Sequence, residues 1–281
     1  FKDGDVIYAD QINDNFEYLQ GVRETTVDCG SSGNGNGINK AINEGYNSII
    51  ISGICRENVE ISGRKNKIGL IKLRGLNNDY NQDKIIDNSS SEASVLEFYW
   101  ESIFVQIDNL SIIGGLKGIQ SFPNVNFRIN DVKIEGYESE GLRISGGSMF
   151  SAKNLIIDGS NNSTDNNQRG IGISSSSMAF LDNITIIGNQ KQGLNLWQSR
   201  AWMTGNIAID NNGIGVGLYS GSSLEFDSSS ITNISNNSRG IESSLSNLGL
   251  NGQITISNSE QALSFNQSAV TSGAALELLN N

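Results

Sequence analysis

The chain has 281 residues, a formal net charge of −11, no histidine, and one proline against 32 glycines. The negative balance argues against nucleic acid and anionic lipid as partners. The missing histidine removes Ser-His-Asp chemistry, imidazole bases and ordinary zinc sites. No 18-residue apolar run is present, so no membrane insertion is expected.

Taken in chain order, Asp10–Leu19 (DQINDNFEYL) sets Ile12, Phe16 and Leu19 at helical spacing behind Asp10 as N-cap. Ile38, Ala41 and Ile42 mark a second short amphipathic turn. Residues 1–47 therefore read as a helical cap. Cys29 and Cys55 lie 26 residues apart and are either a disulfide or two buried thiols.

From about residue 48 to 273 the chain repeats, and residues 274–281 read as a tail or second cap. A small residue opens an apolar alternation at Gly118, Gly141, Gly170, Gly193, Gly215, Gly240 and Ala262, in steps of 23, 29, 23, 22, 25 and 22. A polar column (Asn109, Asp131, Asn154, Asn183, Asn206, Ser230, Gln253) gives the same period and the same single long step. Pairs such as Leu155/Ile157 and Ile184/Ile186 alternate at period two, so one face of each strand is buried. Three short strands and three turns in about 23 residues describe one coil of a parallel β-solenoid. A leucine-rich repeat would need a Leu framework that is missing. The polar column is expected to form a hydrogen-bonded ladder inside a turn.

Charge gathers on the coils from Lys117 to Arg169. Glu135 and Asp158 occupy equivalent positions on adjacent coils, as acid/base groups or cation ligands, and Arg143 and Arg169 would hold an anionic sugar. Solvated turn charges are the plainer alternative. The long step is an insert after Asp158, where Asp158, Ser160, Asn162 and Asp165 offer oxygen ligands for Ca2+. Neither EF-hand nor RTX spacing is present, so a polar loop is the plainer reading and no cofactor is required. The stretch LNLWQSRAW carries Trp197 and Trp202 around Arg200, with Tyr219 in the next coil. Aromatic rings stack on sugars and Arg grips carboxylates. Trp197 suits either a sugar platform or the interior, whereas Trp202 reads as core.

The segment VDCGSSGNGNGINKAINEGYNSIIISGICRENVEISG places a Cys-bearing strand before a short helix and a G-x-C-x-E-N-V-x-I coil. With the repeat, it resembles the right-handed parallel β-helix proteins of the pectin lyase-like superfamily. The opening FKDGDVIYADQINDNFEYL is similar to a helical module of marine bacterial surface proteins and of phage tail fibres or tailspikes. The resemblance implies an all-β right-handed parallel β-helix with Cys29 paired to Cys55. It also implies an extracellular, cell-surface or virion setting and a polysaccharide partner. It implies two alternative functions. One is recognition of an acidic glycan with lyase or depolymerase activity. For that function the charge columns, the insert and the aromatic stretch, rather than the resemblance, offer Glu135, Asp158 and Arg143 as catalytic, Lys117, Arg169, Trp197, Arg200 and Tyr219 as substrate-binding, and Asp158 and Asp165 as ligands of any metal. The other is a non-catalytic structural or adhesive element, expected as a homotrimer because tailspikes associate side by side. The polygalacturonase motifs NTD, GHG and RIK are absent, and no calcium-lyase motif transfers residue by residue.

Overall fold

The computed structural model describes residues 21–30, 37–62, 69–87, 93–99, 103–160, 167–273 and 275–281. The helix expected over Asp10–Leu19 lies outside the described residues.

Alternating apolar residues give each coil a strand with one buried face, and the parallel register stacks like on like. Ile112, Ile134, Ile157, Ile186, Ile209, Ile234 and Ile256 are successive partners, ending on Leu278. These isoleucines are fully buried, each worth about 1.5–3 kcal/mol relative to exposure. Phe127 and Phe150 form a second internal row, with ring centroids 4.6 Å apart. The result is the parallel β-solenoid that the repeat predicts.

Hydrogen bonding joins two of the three expected strands. In five successive coils the third strand runs into the first strand of the next: Phe104–Ile113, Asn126–Glu135, Met149–Asp158, Met178–Ile187 and Arg200–Asp210. Each is bent near its middle. Asn109, Asp131, Asn154 and Asn183 take φ of 55°, 53°, 52° and 55° there, a left-handed conformation that short polar side chains tolerate better than most. The polar column therefore marks a backbone bend. Its side chains do bond between coils, Asn154 Nδ2 donating to Asp131 Oδ1 at 2.8 Å, but at the exposed surface rather than inside a turn. In Arg200–Asp210 the bend falls to Gly205 with one extra residue, and the register slips beside Asp182 and Ile184.

Among the described residues fifteen strands form this bent sheet, which thus has a pre-bend and a post-bend outer face, and nine form the other. The buried ladder lies in the turn between the post-bend face and the nine-stranded sheet. Asn189 N and Nδ2 donate to Asn212 Oδ1 at 3.0 and 2.9 Å. Asn212 N and Nδ2 donate to Asn237 Oδ1 at 2.8 and 3.2 Å. The Tyr137 hydroxyl extends the row, donating to Asn189 Oδ1 at 2.5 Å.

The small-residue column comes immediately after this turn, and close approach explains it. A Cβ at Gly170 would lie 2.5 Å from the Gly193 carbonyl oxygen and 2.5 Å from Ile186 Cγ2. From Gly118 to Gly240 each glycine faces the carbonyl of the next member in this way. Ala262 ends the column on Gln261–Asn266, which among the described residues is the edge strand of the nine-stranded sheet.

Ile38, Ala41 and Ile42 are buried on the helix Gly37–Asn43, as expected. Cys29 and Cys55 form a disulfide with a Cα–Cα distance of 5.1 Å. Parallel pairing starts with Glu24 on Ser48 and reaches Ala275–Leu279 on Gln253–Ser257, so the stack extends past residues 48–273 at both ends. Among the described residues no helix is long and apolar enough to cross a membrane.

Glu57 holds the helix in place. Its carboxylate accepts from Ile38 N at 2.7 Å and Asn39 N at 3.2 Å while fully buried. Burial pushes its pKa above the ordinary glutamate value, against the pull of those donors. The folded state then keeps this proton to higher pH than the unfolded chain does. Stability from this group is greatest below the ordinary glutamate pKa and is lost as pH rises through the raised one. The stability difference between wild type and Glu57→Gln, by urea titration from pH 4 to 8, should therefore fall with pH; a flat difference would count against this account.

Candidate functional site

The register brings the sequence columns together on the outside of the nine-stranded sheet. Lys117, Glu140 and Arg169 are successive partners. Beside them run Gln120, Arg143, Gly172, Asn195, Gly217 and Glu242. Three cations thus surround Glu140 in a chain whose net charge is −11.

These side chains lie flat and bond from coil to coil. Arg143 Nη1 donates to Glu140 Oε2 at 2.9 Å and to Oε1 at 3.2 Å. Arg169 Nη1 donates to Glu140 Oε1 at 3.4 Å, and its Nε donates to Gln192 Oε1 at 2.9 Å. Gln192 hydrogen-bonds Tyr219, whose hydroxyl donates to Glu242 Oε1 at 2.8 Å. Arg239 pairs with Glu242 at the far end. Two outward glycines leave room for this string. A Cβ at Gly172 would meet Glu140 Oε1 at 2.8 Å, and one at Gly217 would meet Tyr219 Cε2 at 2.8 Å.

The Glu140 side chain is only 4% exposed, whereas Arg143 is 39% exposed and keeps donors toward solvent. Partial burial, with Glu242 close by, pushes the Tyr219 hydroxyl up to about 12, so it is a neutral donor at physiological pH. Trp197 stands in register with Tyr219, half exposed, with ring centroids 6.1 Å apart. Trp197 is therefore exposed and does not fill the coil interior.

Glu135 and Asp158 are indeed partners on adjacent coils, on the post-bend face. Lys133 joins them, its Nζ 2.6 Å from Glu135 Oε2 and 3.8 Å from Asp158 Oδ2. The hydrogen bond and charge of Glu135 lead in raising the Lys133 pKa, so the amine stays protonated. Sequence reasoning missed Lys133, although its place two residues before Glu135 put it on the same outer face. Arg143, by contrast, is on another sheet and engages Glu140.

The aromatic stretch divides between two faces. Trp197 and Tyr219 stay on the nine-stranded sheet, and exposed Arg200 begins the next strand. Trp202 is not core. It points outward on the pre-bend face, stacked on Phe180 at 5.0 Å and 9°, because alternation along Arg200–Asp210 buries Ala201 and Met203 instead.

The insert leaves the register intact, with Asp158 paired to Ile187 and Glu140 to Arg169 across it. Asp158 Oδ1 accepts from Ser160 N at 3.0 Å. Asp165 lies outside the described residues. Among the described residues no group of three His, Cys, Asp or Glu is placed to hold a metal.

A stacked parallel solenoid with a disulfide-linked opening strand and glycine-spaced coils defines the class of this protein. The chain belongs to the right-handed β-helix family, whose model matches residues 94–266. Among solved structures it is similar to the enzymatically active domain of bacteriophage CBA120 tailspike protein 2, with a TM-score of 0.68 at 15% identity over 92% of this chain and 43% of that one. It is also similar to alginate lyase from Paenibacillus sp. str. FPU-7, with a TM-score of 0.52 at 12% identity over 91% of this chain and 98% of the other. At these identities the likeness is one of fold. The chain spans about two fifths of the length of the full tailspike it resembles. No curated protein sequence matches significantly.

Proposed function

We propose that the chain recognises an acidic polysaccharide lying along the stack on its nine-stranded face. The observation that carries this reading is the string Arg143–Glu140–Arg169–Gln192–Tyr219 beside exposed Trp197. Guanidinium groups fixed by Glu140 present carboxylate-matching donors at little entropic cost, and Lys117 adds a cation. Trp197 offers an apolar face to a sugar ring. A tailspike and an alginate lyase among the fold neighbours fit this partner class. The disulfide fits an extracellular or virion setting.

The finer reading adds depolymerisation, with Glu135 and Asp158 as the reacting carboxylates and Arg143 stabilising developing charge. Lys133 lies between the two carboxylates, within 2.6 Å of Glu135 Oε2 and 3.8 Å of Asp158 Oδ2. Non-catalytic adhesion, in a homotrimer, is the second reading. It is favoured by the separation of the carboxylate pair and the arginine string onto different faces.

Calorimetry with alginate, polygalacturonate and neutral dextran tests the proposal. The acidic chains should bind and dextran should not, and Arg169→Ala or Trp197→Ala should each weaken binding roughly tenfold. Equal affinity for dextran, or no change in either variant, would sink it. Unsaturated-uronate absorbance or new reducing ends, lost in Glu135→Gln and Asp158→Asn, would establish cutting by that pair. Binding without either product, with a trimer by light scattering, would establish adhesion. Added Ca2+ tests the oxygen-rich insert, since the proposal requires no cofactor.

A further inference from the structure

The pre-bend face carries a second feature with a ligand's shape. Its outward column reads Arg128, Ser151, Phe180 and Trp202, each in register with the next. Phe180 and Trp202 stack face to face at 5.0 Å and 9°, so their ring planes lie across the solenoid axis. One face of Phe180 is covered by Trp202. The other looks toward Ser151, whose side chain is too short to reach it, and Phe180 is 46% exposed.

The missing bulk at Ser151 leaves a slot. Arg128 and Phe180 stand two strand steps apart, about 9.6 Å, which is roughly twice the 4 Å contact distance between carbon atoms. One flat layer fits between them. A cleft of about 350 Å3 is found there, bordered also by Lys153 and Asp182. Lys153 and Asp182 are partners in register beside the slot, Lys153 exposed. The Asp182 carboxylate accepts from Thr204 Oγ1 at 3.2 Å and has lone pairs to spare.

We infer that this slot binds a single pyranose residue bearing a carboxylate, edge-on between Arg128 and Phe180. The C–H face of the sugar lies against the Phe180 ring, which the Trp202 stack holds rigid. The sugar carboxylate meets Arg128 and Lys153, and Asp182 accepts from its hydroxyls. An aromatic slab alone would suit any apolar partner. Two cations and an acceptor on three sides of one open ring face select a polar, anionic and flat one. The site shares the acidic-glycan chemistry of the proposed function but none of its residues.

Saturation-transfer NMR with glucuronate and glucose as probes tests it on the whole chain. Glucuronate ring protons should receive saturation, and glucose protons about fivefold less, since glucose lacks the carboxylate that two cations meet. Phe180→Ala should abolish the signal. Ser151→Phe should abolish it too, by filling the slot with a third stacked ring while keeping the fold, which guards against a folding defect in the first variant. Trp197→Ala should leave it unchanged, so loss of polymer binding there and loss of sugar binding here are read separately. Saturation that survives both slot variants, or that is equal for glucose, would overturn the assignment. So would an oligomer that Ser151→Phe splits into monomers, because the slot would then seat a second copy of this chain.

Discussion

Gly170→Ala is expected to destabilise the protein by about 3 kcal/mol, more than most surface substitutions could. The added methyl would sit 2.5 Å from the Gly193 carbonyl oxygen, 2.5 Å from Ile186 Cγ2 and 3.0 Å from Asn189 Nδ2. Two of these neighbours are fixed by what the coil must do. The carbonyl belongs to the next coil's backbone, and Ile186 is a fully buried member of the isoleucine row. The methyl is relieved only by widening the spacing between coils, which stretches the interstrand hydrogen bonds on both sides. In a solenoid stability is a sum of coil and interface terms, so the damage stays local. Urea unfolding should show the loss, and hydrogen exchange should place it between about residues 141 and 193. Gly249→Ala is the control, because its methyl would meet only Glu225 Cγ at 3.3 Å among its nearer neighbours. It should stay within about 0.5 kcal/mol of wild type. Equal effects from the two variants would refute close approach as the reason for the glycine column.

The same column shows how the sequence carries the fold. Recurrent glycines and period-two isoleucines are the constraints that stacking imposes on every coil, so they repeat in the chain and are read from it directly. Features dictated by the backbone alone are equally legible: the Glu135–Asp158 pairing and the Lys117–Glu140–Arg169 column. The misreadings all depend on where side chains turn. The polar column is legible as a repeat, but its residues bend a strand instead of lining a turn. The buried asparagines escape notice because their spacing ahead of the glycine changes from four residues at Asn189 to three at Asn212 and Asn237. Trp202 reads as inward because Ala201, Trp202 and Met203 are all apolar, so the letters alone do not show that the alternation buries Ala201 and Met203 and turns the ring out. The outward glycines of RGIGIS and IGVGLY are visible as letters. Their meaning, room for Glu140 and Tyr219 to lie flat, needs the neighbouring coil.

That distinction bears on function. Groups that only hold the coils together recur at every step, whereas the arginine string, the Lys133 bridge and the Phe180 slot each occur on a few coils and break the local pattern. A solenoid repeats its scaffold and leaves its outer positions free, so departures from the repeat on outer faces are where recognition is best sought.

The asparagine ladder gives the second large effect, with Asn212→Ala expected to cost about 3 kcal/mol. Asn212 Oδ1 is the acceptor for both Asn189 N and Asn189 Nδ2, and its own Nδ2 donates to Asp210 O at 2.9 Å. Truncation leaves the Asn189 backbone N–H buried without its partner, at about 1–3 kcal/mol, while Nδ2 keeps Ile187 O at 3.1 Å, and it opens a small cavity beside Gly193. The bend column supplies the contrast. Asn154 is exposed and its main duty is a φ of 52°, which glycine meets without strain. Asn154→Gly should therefore lie within about 0.5 kcal/mol of wild type while Asn212→Ala unfolds at markedly lower urea. If the two variants lost similar stability, the exposed column would be the ladder that holds the coils in register. If only Asn212→Ala is destabilised, the polar side chains of this fold divide by depth: those inside the turn bind coil to coil, and those at the bend steer the backbone.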